Sequence, residues 1–356
     1  MPEHPVLAAA QQFRAAALAR ERQASSRLVQ TYGRAYTRLS PAIEALSQRI
    51  ARMDAPGPSV ASLTRLDSLR SLRSQVENEI ARFGTYADTE ISRGATEAIA
   101  AGLKDSRAMA AASMGNGGPG QRALITAWDM LPTESVETML GFLADDSPLH
   151  TALTKRLGPA VAQRMSDALV DGIVLGMNPR RVAEIVRREL GVGLSWALTT
   201  ARTAQLYAYR EATRANYMAN SHIVSGWTWL SALDRRTCMS CINMHGSVHP
   251  VTESLNDHHS GRCVPVANVR QATTLGLPRP EIEPGEQWFG RQPAAVQRQM
   301  MGPGMYKAWK AGKVAFADLS QPYSDPVYGE MLREASLVGL LGNEAKQYYT
   351  RQKVAR

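Results

Sequence analysis

Cysteine and aromatic residues are scarce in this sequence of 356 residues. It contains three cysteines, and aromatic residues make up 6% of the chain. Strands of a β-sandwich need many aromatic and β-branched side chains, so this composition, in which alanine is plentiful, favours helices packed through small residues. Because the number of cysteines is odd, a disulfide pairing would leave one thiol over, which argues against a disulfide framework.

Long apolar runs are also missing. No stretch reaches the ~18 uninterrupted apolar residues that a membrane-spanning helix needs. The first residues, "MPEHPVLAAAQQF", lack the basic start and the apolar core of a secretory signal. We therefore expect a soluble protein made in a reducing cytoplasm, where thiols stay free. A Gly-x-x-x-x-Gly-Lys phosphate loop is absent too, which disfavours an ATP-driven motor.

Basic residues outnumber acidic ones. Lys plus Arg is 41 against 32 for Asp plus Glu, which gives a formal charge of +9 and a pI near 9.6. A surface of this charge attracts polyanions such as nucleic acid or an acidic protein face. A solvated basic surface without a bound partner explains the charge equally well.

The first third of the chain has apolar residues at helical spacing. Ser40-Pro41 predicts a helix restart, because a capping serine precedes a proline suited to a first helical turn. The stretch "DAPGPS" (54–59) predicts a break, since proline and glycine do not belong in a helix interior. Helices over 60–83 and 86–112 are then expected to fold back as a hairpin.

The Gly-rich stretch 115–120 is followed by a change of pattern. Capping signals before Pro148 and Pro179 predict helices over 148–175 and 179–190, the second ending at Gly191, and a further long helix follows. That long helix carries a stripe of small and apolar residues that we interpret as core: Leu194, Leu198, Ala201, Ala208, Ala212, Ala215 and Ala219.

Alternating residues around Trp227 and Trp229 predict a strand that enters the cysteine-containing stretch. A second short strand is predicted over 248–252. Beyond residue 265 the chain is punctuated by prolines, and short helices are predicted over 293–300, 305–311 and 327–339.

All three cysteines lie close to most of the histidines. Cys238, Cys241 and Cys263 with His258 give the spacing C-x2-C-x16-H-x4-C. Two thiolates two residues apart can bind one tetrahedral zinc ion from a tight turn. The sequence does not separate His258 from His259, and other histidines of the same stretch, His245 or His249, could replace either.

A Cys3His set fills all four positions of a zinc shell, and filled shells are structural, whereas catalytic zinc keeps one position open. A hydrolytic centre also wants a carboxylate base, and Asp257 and Glu253 are only near in sequence. An HNH nuclease would need a histidine after His259, and a zinc deaminase would need His-x-Glu and Pro-Cys-x-x-Cys, all of which are absent. We predict structural Zn²⁺ and no catalytic residue; the alternative is three metal-free buried thiols and surface histidines.

The stretches "WLSALDRRTCMSCINMHGSVHP" and "HHSGRCVPV" resemble the signature of the phage Mu F-like minor head proteins, the head morphogenesis family of tailed bacteriophages. "MNPRRVAEIVRREL", "TARTAQLYAYREATRANY" and "EQWFGRQPAAVQRQMMGPGMYKAWKAGKVAFADL" extend the resemblance to about residues 160–345. The signature positions are occupied by Trp229, Asp234, Arg236, Cys238, Cys241, Gly246, His258, Arg262 and Cys263. Gly261, His259 and Ala204 depart from the family pattern, which has cysteine, proline and glutamate there.

The resemblance implies a structural, non-enzymatic protein present in few copies in the phage head. It implies a place near the portal after assembly in the host cytoplasm, a role in head morphogenesis and in DNA packaging or delivery, and the portal protein or major capsid protein as partner. No membrane partner is implied. Packaged DNA is expected to be held through non-specific phosphate contacts, with candidates at Arg235, Arg236 and Arg262, although solvated arginines explain these residues equally well.

The rival hypothesis is a zinc-stabilised nucleic-acid-binding protein or degenerate nuclease that is not incorporated in virions. In either case the predicted fold is mainly α, with an elongated helical N-terminal arm and an α+β domain that carries a small zinc-stapled β-hairpin-like segment. The predicted division is a helical arm or bundle over 1–114, a Gly-rich linker over 115–120, a helical domain over 121–222, a zinc-binding segment with short strands over 223–268, C-terminal loop and helices over 269–345, and a basic tail over 346–356.

Overall fold

The structure, a computed structural model, describes residues 4–51, 60–115, 117–141, 143–144, 146–157, 164, 179–278 and 280–349. These residues are mainly helical and include a small antiparallel sheet, so the predicted fold class is confirmed at this level. None of the described helices is long and apolar enough to cross a membrane.

Within the residues that the structure describes, the helices and strands follow one another with these bounds. The α-helices are α1 (Pro5–Ala51), α2 (Val60–Ala112), α3 (Pro119–Ala127), α4 (Thr133–Leu140), α5 (Pro148–Leu157), α6 (Pro179–Ala219), α7 (Met239–Met244), α8 (Arg270–Thr274), α9 (Gly285–Gly290), α10 (Ala294–Met301), α11 (Pro303–Lys310) and α12 (Leu337–Leu341). Strands in this described part of the chain are β1 (Val224–Leu230), β2 (Val248–His249), β3 (Val264–Val269), β4 (Ser320–Asp325) and β5 (Gly329–Glu334), and 3₁₀ helices span Phe316–Leu319 and Gly342–Tyr348.

Contacts divide the chain into two compact units, each made of separate stretches of sequence. One unit comprises Met1–Leu18, Glu97–Leu140 and Leu206–Arg356, and the other comprises Ala19–Thr96 and Gly141–Gln205. The Gly-rich stretch 115–120 joins α2 to α3 within the first of these units, where Gly115 and Gly117 have positive φ.

In the second unit, α1 and α2 run antiparallel. Contacts between the two helices show this, because the partner on α2 moves back along the chain as the residue on α1 moves forward: Arg27 with Glu90, Tyr32 with Phe83, and Arg38 with Glu79. Two sequence predictions are wrong here, because α1 continues through Pro41 and α2 continues through residues 84 and 85. The hairpin is therefore formed by α1 and α2, because pairing along their length outweighs the weak helix preference of single glycine or proline residues.

The predicted helix end at Gly191 is also wrong, because α6 runs without a break from Pro179 to Ala219. Gly191 lies on the exposed surface of this helix, and no atom would meet a side chain there. Helix α5 forms the first part of the predicted helix 148–175, and most of the remainder lies outside the described residues.

In the first unit, α6 packs closely on the end of α2. Ala208 and Ala212 are fully buried, and a Cβ at Gly102 would lie 2.5 Å from the backbone oxygen of Tyr209. Asn216 donates from Nδ2 to Leu103 O at 3.1 Å, which gives its buried amide nitrogen a partner between the helices. The predicted core role of this stripe is confirmed for most of its residues, although Ala219 is exposed.

The sheet has the order β2-β1-β3 and is antiparallel throughout. Strand β1 was predicted, and β2 lies inside the predicted stretch 248–252. Strand β3 was not predicted. Trp227 pairs with both His249 and Ala267, and Trp229 pairs with Pro265, so β1 carries two buried indoles in the middle of the sheet.

The C-terminal stretch contains a β-hairpin where a helix was predicted over 327–339. Asp325 accepts hydrogen bonds from the backbone N–H groups of Val327 and Tyr328, and Gly329 has a φ of +74°. These features make a tight turn between β4 and β5, so the helix begins only at Leu337. Helices α10 and α11 confirm the predictions for 293–300 and 305–311.

Candidate metal centre

Two of the cysteines lie on the first turn of the short helix α7. Cys238 is its N-cap residue, and the Cys241 backbone N–H donates to the Cys238 Sγ at 3.3 Å. The turn before the helix is closed by Asp234, whose backbone oxygen accepts from Thr237 N at 2.9 Å. The C-x2-C spacing thus places both sulfurs on the same side of one helical turn.

The histidine comes from the loop that precedes β3. Gly261 N donates to His258 O at 2.9 Å, and this tight turn directs the His258 ring toward α7. The His258 Nε2 lies 3.0 Å from the Cys238 Sγ and 3.3 Å from the Cys241 Sγ. These three side chains form one group whose ligand atoms all lie within 4.8 Å of one another.

Cys263, the last residue before β3, joins the cluster through Cys241. Its Sγ lies 3.3 Å from the Ser231 Oγ, which in turn donates to Cys241 O at 2.6 Å. Cys263, Cys241 and Asp257 form a second group within the same 4.8 Å limit. The four predicted ligands, together with Asp257, therefore form two overlapping groups of three that share Cys241.

The donor atoms fit zinc. Thiolate sulfur and imidazole nitrogen are the ligands of structural zinc sites, and the cysteines are free rather than paired in a disulfide. Cys241 and Cys263 are buried, whereas Cys238 and His258 are partly exposed. The described residues thus include cysteine and histidine groups that could hold a metal ion.

Asp257 is a buried carboxylate at the centre of this arrangement. Its Oδ1 accepts from His258 N at 2.9 Å and from the Cys241 thiol at 3.1 Å. Its Oδ2 accepts from Cys263 N at 3.2 Å and from the Arg210 Nη2 at 2.9 Å. Burial raises the pKa of Asp257, but Arg210, His258 and the other donors outweigh burial and hold that pKa below its usual value.

Arg210 reaches the cluster from helix α6. Besides Asp257, its guanidinium donates from Nε to Cys263 O at 3.0 Å and from Nη2 to Gly261 O at 2.5 Å. A side chain at Gly261 would collide with the Asp257 carboxylate. Arg210 and Asp257 therefore fix the loop that carries His258 and Cys263.

The sequence alone did not assign roles to Arg210 and Asp257. In the sequence Asp257 is only a neighbour of the histidines, and nothing in the spacing points to a buried carboxylate. Arg210 lies 47 residues before its partner in sequence, inside a helix that contains several other arginines. Only the fold brings the two together.

The thiols and the imidazole shift one another's pKa. The hydrogen bond from Cys241 and the contact with His258 lower the pKa of Cys238 to about 6, against the effect of burial. Hydrogen bonds with Cys238 and Cys263, together with burial, raise the pKa of Cys241. Burial lowers the pKa of His258, but Cys238 and Asp257 outweigh burial and raise the pKa to about 10.

The other histidines have different partners. His259 Nε2 lies 2.9 Å from an Asp325 carboxylate oxygen. His245 is buried and accepts from Ser231 N at 2.9 Å, and burial together with the charge of Arg14 lowers its pKa to about 4. His249 stacks on Trp227 with 4.3 Å between ring centroids. The geometry thus places His258, rather than these three residues, against the two cysteines of α7.

The three arginines predicted as phosphate contacts differ in their surroundings. Arg262 donates to both carboxylate oxygens of Asp234, at 2.6 and 2.7 Å, so its charge is neutralised within the chain. Arg236 is largely exposed, and its Nη2 lies 3.9 Å from Asp234. Arg235 is exposed as well.

Residues 163–291 match the model of a family described as Phage Mu protein F like protein. The matched stretch contains α6, the three-stranded sheet, the cysteine and histidine cluster, and α9. No curated protein matches the chain, and no solved structure does. The resemblance to the phage Mu F-like head morphogenesis family is confirmed by this match.

Proposed function

We propose that this chain, whose residues 163–291 match the model of the phage Mu F-like family, is a structural minor head protein of a tailed bacteriophage. This match associates the chain with phage head morphogenesis. The finer proposal is that the protein resides in the virion near the portal, contacts the portal protein or the major capsid protein, and acts in DNA packaging or delivery.

The observation that carries this proposal is the convergence of Cys238, Cys241 and His258, joined to Cys263 through Cys241. We propose that these four residues hold one Zn²⁺ ion. The bound ion would supply a cross-link between α7 and the loop before β3, and a filled shell of four protein ligands leaves no position for substrate. These residues of the Mu F-like signature would thus form a metal cross-link, or staple, that stabilises the fold.

The surroundings of the cluster favour a structural role over a catalytic one. A hydrolytic centre needs a carboxylate free to take a proton from water. Asp257 is the carboxylate in contact with the cysteines, and it is buried and already accepts from Arg210 and two backbone N–H groups. Its role is to hold the backbone of His258 and Cys263 in place.

The staple lies at the border of an apolar core. Cys241 and Cys263 belong to a cluster of buried residues that also contains Trp128, Trp227 and Trp229. Zinc binding in small modules is coupled to folding with roughly 10 to 16 kcal/mol. We therefore expect zinc to stabilise the sheet and its tryptophans as well as the loop that contributes ligands.

Mass spectrometry of purified virions tests the location. The proposal predicts this protein at a few copies per particle, and its amount should stay constant through repeated density-gradient purification. Absence from virions, with the free protein bound to specific DNA in the host cell, would support the rival nucleic-acid-binding hypothesis instead.

Co-purification tests the proposed partner. The full chain is expressed with the portal protein or with the major capsid protein of the same phage, and each pair is passed through size-exclusion chromatography. Co-elution with either structural protein supports docking in the head, whereas separate elution from both contradicts it.

A further inference from the structure

We propose that the exposed faces of α10 and α11, together with Lys313 just after α11, form a docking surface for the phosphate backbone of double-stranded DNA. This basic surface consists of Arg298, Lys307, Lys310 and Lys313. It deepens the proposed function by assigning the DNA contact to residues other than the three arginines beside the cysteine cluster. Binding by this surface can nevertheless be measured whether or not the protein is found in virions.

The basic surface has an excess of unneutralised positive charge. Between residues 294 and 317 the chain has these four basic residues and no acidic residue. All four side chains are exposed, and none of them forms an ion pair with any part of the chain that the structure describes. Arg262, by contrast, is paired bidentately with Asp234.

Two cations of the basic surface converge on one aromatic ring. The Arg298 guanidinium carbon lies 5.6 Å from the centre of the Tyr306 ring, and the Lys310 Nζ lies 5.7 Å from the same ring. Lys310 is also 4.4 Å from the centre of a Trp309 ring. Because cation–π contacts already hold these side chains, less rotamer entropy is lost when they bind an anion.

The rings that hold the cations are themselves fixed. Tyr306 is buried, and Trp309 packs on Phe289 and Phe316 with centroid distances of 5.6 and 6.4 Å. Proteins that bind single strands stack bases on accessible aromatic faces. Here the rings pack against the core and the cations. The surface therefore contacts phosphates through its charged side chains rather than stacking bases on its rings.

The acidic residues next to the basic surface, Glu286 on α9, Asp318 and Glu344, are fewer than its four cations. The 3₁₀ helix Gly342–Tyr348 packs against α11, and its Glu344 and Lys346 are of opposite sign. The Asp318 carboxylate accepts from Ala315 N at 3.2 Å. Glu283, before α9, is paired with Arg291. The basic surface therefore keeps its net positive charge, which favours a polyanion as occupant.

Fluorescence anisotropy with a labelled random-sequence duplex of about 30 base pairs tests the assignment. Binding of the full-length protein is measured between 50 and 200 mM salt, because each phosphate contact contributes about 0.9 to the slope of log K against log salt. The Lys307→Gln/Lys310→Gln variant should lower that slope by about 2 and weaken binding to every duplex sequence alike.

The matched control is the Arg235→Gln/Arg236→Gln variant, which removes the same charge beside the cysteine cluster. It should keep a slope closer to that of the parent protein. Lys307→Arg/Lys310→Arg should retain binding, since arginine also contacts phosphate. A slope unchanged by the lysine-to-glutamine variant, or an equal loss in the control, would overturn the proposal.

A second probe separates DNA from an acidic protein partner. If the lysine-to-glutamine variant loses affinity for polyglutamate while its affinity for the duplex stays the same, the surface binds acidic protein and the proposal is wrong. The salt dependence of duplex binding and the virion test can also fail independently of each other. Absence from virions with the expected loss of slope contradicts the proposed location alone, whereas presence in virions with an unchanged slope contradicts only the basic surface.

Discussion

Arg210 and Asp257 form a buried ion pair, with the Arg210 Nη2 2.9 Å from the Asp257 Oδ2. Their side chains are 5% and 1% exposed, so neither charge is compensated by water. The pair connects helix α6 to the loop before β3, because Asp257 also accepts from the backbone N–H groups of His258 and Cys263. Breaking it therefore affects the fold and the candidate metal centre together.

Arg210→Met should destabilise the protein by about 3 to 5 kcal/mol, because Asp257 would keep a buried charge without its partner. Urea unfolding followed by tryptophan fluorescence measures this loss, since Trp227 and Trp229 are buried in the adjacent sheet. The control is Arg236→Met, at a side chain that is 82% exposed. Equal stabilities for the two variants would contradict the role given to Arg210.

Gly261→Ala should destabilise the protein by about 1 to 3 kcal/mol, as overpacking of a filled site does. The added Cβ would collide with the buried Asp257 carboxylate. Gly290→Ala is the matched control, because no atom lies within 4 Å of a Cβ built at Gly290. Thermal unfolding should separate the two alanine variants, and a Gly261→Ala protein as stable as the Gly290→Ala protein would refute the close contact.

His258→Ala should lower zinc affinity by at least tenfold, whereas His259→Ala should leave it nearly unchanged. The reason is geometric, since the His258 Nε2 lies 3.0 Å from the Cys238 Sγ and the His259 Nε2 contacts Asp325. Competition with a colorimetric chelator under reducing conditions measures both affinities. A larger loss in the His259 variant would assign the ligand to the other histidine.

The buried His245 should make stability fall as the pH is lowered from about 6.5 toward 4. Burial and the charge of Arg14 lower the folded-state pKa to about 4, so in this range the unfolded chain binds a proton that the folded chain does not. The effect is at most about 3 kcal/mol, from 1.36 kcal/mol for each pKa unit.

His245→Gln should remove this part of the pH dependence while its amide oxygen can still accept from Ser231 N. Urea unfolding at pH 7.5, 6 and 5 measures how the free energy of unfolding changes with pH in the parent protein and in the variant. The same change of unfolding free energy with pH in both proteins would contradict the lowered pKa of His245.

Sequence patterns predicted the local features of this fold and of its site. The alternation around Trp227 and Trp229 predicted β1, and the small residues on α6 predicted its packed face. The spacing of the cysteines predicted which thiols lie together. These features depend on neighbours in the sequence, so a local pattern carries them.

Features that depend on distant partners could not be predicted in this way. Pro41 and Gly191 lie inside continuous helices, because tertiary packing stabilises a long helix against single unfavourable residues. The hairpin of β4 and β5 lacks a clear alternation of apolar residues. Asp257 and Arg210 become a pair only when α6 lies beside the loop before β3. The division of the chain into a helical arm and later domains stays a prediction from sequence.

The central claim is that Cys238, Cys241, His258 and Cys263 hold one zinc ion that staples the fold. Metal analysis of the full-length protein, purified under reducing conditions without added chelator, tests it most directly. We predict one equivalent of zinc per chain, and loss of that equivalent in Cys238→Ser and in Cys263→Ser. A cooperatively folded wild-type protein without metal, whose stability does not change when zinc is added, would contradict the claim.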